Sequence, residues 1–296
     1  MRVQATAKLN LGLRIVGRRA DGYHELESLF APIDFADELE VTVEEGAPAE
    51  VRLELSGLGG GVPADAQNLA VRAARAFLDA TGLRVRVRIA LEKRVPTAAG
   101  LGGGSSDAGA VLRALARRFP GALAPPALAD LALGLGADVP FFLDPRPVLV
   151  SGVGERRSPL PGRLPPLTLL LANPGVPLAT AAVFAGYAAS AAPPTARGRL
   201  AAALREALDG PPEALAARLQ ALVENDLEGP AVALCPGIGA VREALAASGA
   251  QAVGLSGSGA TLYGVYASPA AAEAALGRAR LPAGAWARLA RTLEAG

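Results

Sequence analysis

Metal sites built from cysteine and histidine, and internal disulfides, are closed to this chain. It holds one cysteine, Cys235, and one histidine, His24, in 296 residues. A lone cysteine forms no internal disulfide, which fits a reducing cytoplasm. One residue of each type rules out zinc sites built from Cys and His. Cys235 stands in the apolar stretch AVALCP, so it reads as a packed core thiol. No run approaches the roughly 18 to 20 apolar residues that span a bilayer. Lys8 and Asn10 interrupt what would be the core of a signal peptide. The expectation is a soluble cytoplasmic protein with no membrane partner. An excess of one charge is missing too: 29 basic residues face 28 acidic ones, a net charge of +1, so there is no general electrostatic case for nucleic acid binding. No feature points to a particular oligomeric state. Lysine is scarce as well, with Lys8 and Lys93 alone among many arginines. Where Arg fills almost every surface role, a surviving Lys reads as a compact three-donor point charge, with drift as the alternative.

Glycine, by contrast, is abundant and concentrated. In KRVPTAAGLGGGSSD, residues 93–107, Gly100, Gly102, Gly103 and Gly104 fall within five positions, followed by Ser105 and Ser106. Val111, Leu112 and Leu115 then recur at helical spacing, with Ala108 and Ala116 on the same face. A Gly-rich loop feeding a helix N-terminus presents backbone N–H groups and the positive end of the helix dipole, which suits nucleotide phosphates. Several forms of such a loop are excluded. A Walker A loop needs Gly-Lys-Ser/Thr, and neither lysine lies in such a triplet. The dinucleotide spacing G-x-G-x-x-G fails because Gly100 and Gly102 are followed by Ser105. The only histidine precedes Glu25, so no His-Arg-Asp catalytic loop exists, and the elbow G-x-S-x-G is absent even at Ser256 and Ser258.

The length allows two domains of ordinary size. The segment SPLPGRLPP, 158–166, with four prolines and a glycine, is the expected boundary between domains 1–157 and 158–296. Residues 3–15 alternate as a strand, with Leu9, Leu11, Leu13 and Ile15 on one face and Lys8, Asn10, Gly12 and Arg14 on the other. Two residues apart on one face, Lys8 and Asn10 can reach one small ligand; the bland alternative is a solvated polar face. Asp21-Gly22 marks a turn before Tyr23 and His24. Strands are expected at 39–44, 51–55 and 85–91, and a helix over 65–80. Arg84, Arg86 and Arg88 read as a solvated strand face. A second helix opens near Pro125 and fades into GLGADVPFFL. There Asp138 is flanked by Leu135, Val139, Phe141 and Phe142, surroundings in which an acid needs a cation or a proton to manage; a structural turn aspartate is the alternative. Beyond the boundary the pattern predicts a strand at 167–172, a helix–loop–helix over 179–208, helices at 213–223 and 238–247, and a hairpin of 252–255 with 261–266. A helix from Pro269 and a strand near Trp286 complete the chain.

The loop from Pro96 through Gly100-Leu101-Gly102-Gly103-Gly104-Ser105-Ser106, placed between a strand and a helix, resembles the ATP loop of the GHMP kinases. The Gly/Ser turn LSGSGAT, 255–261, is similar to that family's second Gly/Ser motif. The resemblance implies a two-domain α+β fold, with an N-terminal half like ribosomal protein S5 domain 2 and a ferredoxin-like C-terminal half. AKLNLGLRIVGRRADGYHELESLF at 7–30, GLGADVPFFL at 134–143 and NDLE at 225–228 are similar to one branch of the family. That branch uses ATP to phosphorylate the 2-hydroxyl of a cytidine diphosphate derivative of methylerythritol in non-mevalonate isoprenoid biosynthesis.

By that resemblance Asp138 is the catalytic base, and Lys8 holds Asp138 and the nucleophile while stabilising phosphoryl charge. Gly100 to Ser106 wrap the α/β-phosphates, with Pro96 at the loop's start and Asn68 and Lys93 beside the adenosine. Asn10, Tyr23 and His24 line the cytidine diphosphate pocket, His24 reading the cytosine edge. Phe184 is the aromatic expected to stack on that ring, with Tyr187 as the second choice. Mg²⁺ is expected with ATP, its protein ligands unassigned. A related kinase acting on a smaller alcohol and a catalytically dead GHMP-fold binding protein are the rival readings. The DGYHEL segment opposes the first, and retained Lys8 and Asp138 oppose the second.

Overall fold

Alternating residues set the sheets. The computed structural model describes residues 1–46, 48–58, 61–211 and 215–294. The chain divides into two compact units. One contains Met1–Ala7, Phe35–Thr97 and Gly102–Pro145; the other contains Lys8–Asp34, Ala98–Leu101 and the chain from Arg146 onward. Two long strands, β1 (Arg2–Arg18) and β2 (His24–Glu45), contribute residues to both units. The turn joining them is closed by the Arg19 N–H donating to the Tyr23 carbonyl at 2.8 Å, with Gly22 at φ +90°.

In the first unit β3 (Glu50–Gly57) leads through α1 (Leu69–Thr81) to β4 (Val85–Lys93), which lies parallel to β3. Residues 38–45 of β2 pair antiparallel with β4 on its other side. The helix expected over 65–80 begins later because Asn68 is its N-cap, its side chain accepting the Ala70 N–H at 2.9 Å. Val85, Val87, Ile89 and Leu91 point into a core closed by Phe77 of α1 and by Val111, Leu112 and Leu115 of α2 (Gly103–Arg118). On the opposite face of β4, Arg86 pairs with Glu44 and Glu50, and Arg88 with Glu44. The arginine row is therefore an ion-pair lattice as well as a wet face. The unit ends with α3 (Pro125–Leu135) and a 3₁₀ turn, Val139–Leu143, capped by Asp138.

In the second unit residues 26–30 of β2 pair with β5 (Val148–Gly152), which pairs with β6 (Arg156–Ser158). Next come β7 (Thr168–Asn173), α4 (Thr180–Ala189), α5 (Arg199–Leu208), α6 (Leu215–Arg218), α7 (Glu228–Leu234), α8 (Gly237–Ala247), β8 (Ala252–Leu255), β9 (Leu262–Tyr266), α9 (Pro269–Arg278) and β10 (Trp286–Arg291). The sheet order β10-β7-β9-β8, antiparallel throughout, is the ferredoxin-like arrangement that the resemblance implies. The α+β class holds in both units. The helix expected over 213–223 is reduced to the single turn α6, and residues 213 and 214 lie outside the described residues. The short helix α7 has no counterpart in the sequence reading: Gly229 and Pro230 look like breakers, but Pro is tolerated in a helix's first turn, where its missing N–H costs nothing. Cys235 is buried, as its apolar setting suggests. Among the described residues no single helix is long and apolar enough to cross a membrane.

Candidate active site

Helix α2 begins on Gly102, which adopts the left-handed region at φ +71° and leaves the helix without a side-chain cap. The first-turn N–H groups of a helix have no intrahelical partners, so Gly103, Gly104 and Ser105 present donors to an anion. The two serines differ. The Ser106 hydroxyl is buried and donates to the Thr6 carbonyl at 2.7 Å, whereas Ser105 is half-buried at the helix start. Further along α2, Gly109 packs against the 3₁₀ turn: a Cβ there would lie 2.5 Å from Phe142 Cβ. Arg113 donates to the carbonyls of Phe142 and Gln4. One helix thus carries the loop at its N-terminus and grips the turn that Asp138 caps. Asp138 itself is half-buried.

Lys93 is one of the deepest side chains in its unit, 2% exposed. Its ammonium donates to Asp37 and, at 2.7 Å, to Asp107 of α2. Asp37 also accepts the N–H groups of Arg94 and Val95, at 2.6 and 2.8 Å, and so sets the exit of β4 towards half-buried Pro96. Asp107 Oδ1 is buried with no hydrogen-bond partner among the described residues. Burial, first, and the second carboxylate of Asp37 push Asp107 up to about 7 against the pull of Lys93. Burial acts to lower the Lys93 ammonium, but Asp107 and Asp37 outweigh it and hold the group above its ordinary value. Asn68 is engaged as well: besides capping α1, its Nδ2 donates to the Pro63 carbonyl at 2.8 Å. The residues placed near adenosine by resemblance thus direct their side chains into the protein. Neither carboxylate was foreseen as a partner of Lys93. Asp37 lies 56 residues away from it, and local spacing carries no signal of the pair.

In the second unit the polar face of β1 is buried, not solvated. Lys8 is 4% exposed; its ammonium donates to Asn10 Oδ1 at 2.5 Å and lies 4.6 Å from the centre of the Phe30 ring. Asn10 is fixed on every side. Its Nδ2 donates to Ser28, its carbonyl accepts from the Tyr263 hydroxyl, and its N–H donates to Ser256 Oγ at 3.2 Å. Ser256 Oγ in turn donates to the Gly100 carbonyl at 2.8 Å, and the Lys8 N–H donates to the Leu101 carbonyl at 2.9 Å. Gly100 sits at φ +77°, and a Cβ there would collide with the Ser256 carbonyl. The first glycine of the loop is therefore needed for docking against the Gly/Ser turn at 256–259. Leu101 is buried beside it.

His24 and Phe184 are stacked, with ring centroids 5.4 Å apart, and Tyr187 meets His24 edge-on at 5.6 Å. The two aromatics considered for cytosine stacking thus lie on one imidazole. Partial burial, and then the nearby Arg18 guanidinium, lower His24 from its ordinary value, so the ring is neutral at pH 7. Tyr23, by contrast, is 66% exposed.

The family model for the GHMP kinases N terminal domain matches residues 68–144, and that for the GHMP kinases C terminal matches residues 200–282. A protein of Deinococcus radiodurans named 4-diphosphocytidyl-2-C-methyl-D-erythritol kinase is 43% identical over 92% of this chain and 86% of its own length. A crystal structure of 4-(cytidine 5'-diphospho)-2C-methyl-D-erythritol kinase superposes with a TM-score of 0.73 at 40% identity, covering 98% of this chain and 99% of that one. Homoserine kinase from Cytophaga hutchinsonii, 20% identical, shares the fold, with a TM-score of 0.72 over 99% of this chain and 94% of its own. The chain belongs to the GHMP kinase family, and within it to the group formed by the 4-diphosphocytidyl-2-C-methyl-D-erythritol kinases.

Proposed function

We propose that this chain transfers the γ-phosphoryl group of ATP to the 2-hydroxyl of 4-diphosphocytidyl-2-C-methyl-D-erythritol, giving the 2-phosphate and ADP, in non-mevalonate isoprenoid precursor biosynthesis. The observation that carries it is the likeness, at 43% and 40% identity over almost the whole chain, to proteins bearing that name. The stacked His24–Phe184 pair is its physical counterpart: a flat aromatic base has a ring to lie on and a neutral imidazole to pair with.

Phosphoryl transfer asks a protein mainly for positioning and charge stabilisation. The free N–H groups at the start of α2, with the loop from Gly100, hold the phosphates of ATP. Asn68, Lys93 and Pro96 border the adenosine, the first two through backbone that their buried side chains hold in place. Asp138 accepts the proton of the 2-hydroxyl as its oxygen bonds to the γ-phosphorus and the bond to ADP breaks. Lys8 stabilises the negative charge spread over the phosphoryl oxygens, and Asn10 holds the Lys8 ammonium in place. Tyr23, His24 and Phe184 hold the cytidylyl end.

Magnesium belongs to this proposal. A serine or threonine hydroxyl at a phosphate loop can hold such an ion together with phosphate oxygens, and the half-buried Ser105 hydroxyl would fit that role, while Ser106 is already bonded within the protein. When bound, the ion offsets charge on the β- and γ-phosphates. A cytoplasmic location and a functional division at residues 157 and 158 are part of the same reading; the two family models fall on either side of that division.

The test is ADP release with the cytidylyl substrate beside homoserine and mevalonate. Turnover with the cytidylyl alcohol alone is expected. Lys8→Ala and Asp138→Asn should each lower kcat by roughly 100-fold or more while the circular dichroism spectrum stays native. Near-normal turnover in either variant removes that residue from its role.

A further inference from the structure

The NDLE segment, 225–228, has no part in the chemistry above, yet it is bonded to both structures that flank Lys8. Asn225 is buried, and its side chain is fully used. Its Nδ2 donates to the carbonyls of Leu255 and Gly257, at 2.9 and 2.8 Å, and its Oδ1 accepts the Leu227 N–H at 2.9 Å. The backbone around it is joined to β1. The Leu13 N–H donates to the Glu224 carbonyl at 3.1 Å, and the Asp226 N–H donates to the Leu13 carbonyl at 3.0 Å. Asp226 Oδ2 accepts the Ile15 N–H at 2.7 Å. One short segment therefore holds the strand that carries Lys8 and Asn10, and through Asn225 it holds the turn that follows β8.

At that turn Gly257 comes against the pair itself. A Cβ on Gly257 would lie 3.1 Å from Asn10 Oδ1 and 3.8 Å from the Lys8 ammonium. Ser256, the residue before it, accepts the Asn10 N–H and donates to the Gly100 carbonyl. With its carbonyl held by Asn225, Gly257 is packed against Asn10 and the Lys8 ammonium.

We propose that Asn225 is a positioning residue for phosphoryl transfer, acting through Gly257 on the Lys8–Asn10 pair. The proposal rests on the reading of Lys8 as the group that stabilises phosphoryl charge. Removing the amide takes the side-chain donor from a buried carbonyl at Leu255 and a half-buried one at Gly257 and frees the turn to move. A displacement of about 1 Å at a catalytic group costs up to about 100-fold in rate.

The experiment uses the full chain with ATP and the cytidylyl substrate. Asn225→Ala and Asn225→Asp are compared with wild type by kcat, by both KM values and by thermal melting. The Asp variant keeps the acceptor for Leu227 but turns both donors into an oxygen facing carbonyls. Expected is a loss in kcat of about 10- to 100-fold per folded molecule, with each KM within about threefold. Asn225→Ser, which leaves room for water at the carbonyls, serves if the other variants do not fold. The decisive arm is the pairing with Lys8→Ala. If Asn225 acts through Lys8, the double variant is no slower than Lys8→Ala alone. Losses that multiply, or a lowered melting temperature with wild-type kcat, overturn the proposal. Normal turnover in Lys8→Ala would instead overturn the reading of Lys8 beneath it, so the two failures are told apart.

Discussion

Partial burial, followed by the charge of Arg18, lowers the pKa of His24 from its ordinary 6.5, and the ring lies against Phe184 and Tyr187. A depressed histidine stays neutral to lower pH than a free one, so its charge builds up in more acidic solution. The KM for the cytidylyl substrate should then rise towards acid pH as the ring protonates, and do so at lower pH than an ordinary histidine would. His24→Ala should raise that KM by about tenfold, a modest loss for one hydrogen bond plus a stacking partner, and abolish its acid limb. The KM for ATP should stay within about twofold. Initial-rate kinetics across pH read both, and an ATP KM that moves most would place the imidazole in the other pocket. Sequence spacing singled out Lys8 and Asn10 correctly as neighbours on one strand face. It left their surroundings open, because alternation tells the two faces of a strand apart but not which of them meets water. Here both faces are covered, and the Lys8 ammonium donates to Asn10 Oδ1 and lies over the Phe30 ring.

At the scale of the element, α2 shows why a poor helix former stands inside a helix. Gly109 costs about 1 kcal/mol of propensity relative to Ala, yet the space beside it belongs to Phe142, whose Cβ and backbone would lie within 3.0 Å of an added methyl group. Gly109→Ala should destabilise the chain by about 1 to 3 kcal/mol in urea unfolding, overpacking outweighing the gain in propensity. It should also slow turnover, because Phe142 lies on the 3₁₀ turn capped by Asp138. A variant as stable as wild type would show that the turn moves away freely. Helical periodicity placed α2 well, since its apolar face repeats locally. α6 was overestimated and α7 missed because both are short, and their ends depend on contacts from elsewhere in the chain. The start of α1 is set by the cap at Asn68, three residues after the expected start at 65, because the apolar repeat does not mark where a cap falls.

Across the whole molecule, the cluster of Lys93, Asp37 and Asp107 ties stability to pH. Two buried carboxylates share one ammonium, so a proton on Asp107 relieves the excess negative charge, and burial pushes that group up to about 7 from 3.8. The folded state then holds a proton that the unfolded chain has already lost between those two values. Stability from this group is full below the lower value and is lost as pH rises through the upper one. The loss amounts to roughly 4 kcal/mol at most. Asp107→Asn cannot ionise and should flatten that slope, seen as denaturation midpoints that differ less between pH about 5 and about 8; an unchanged slope would assign it to other groups. Local order along the chain was enough to specify most of the strands, though not β5, β6 or the first part of β2, together with the longer helices, the glycine-rich loop and the family, since periods of two and 3.6 residues and short glycine spacings are properties of neighbours. The partners were not local. Asn10 meets Ser256 across 246 residues, Lys93 meets Asp37 across 56, and Asn225 meets Gly257 across 32. Those pairings required folding, because a buried charge or amide takes whichever partner the packed chain brings within reach, and no spacing in the sequence records that distance.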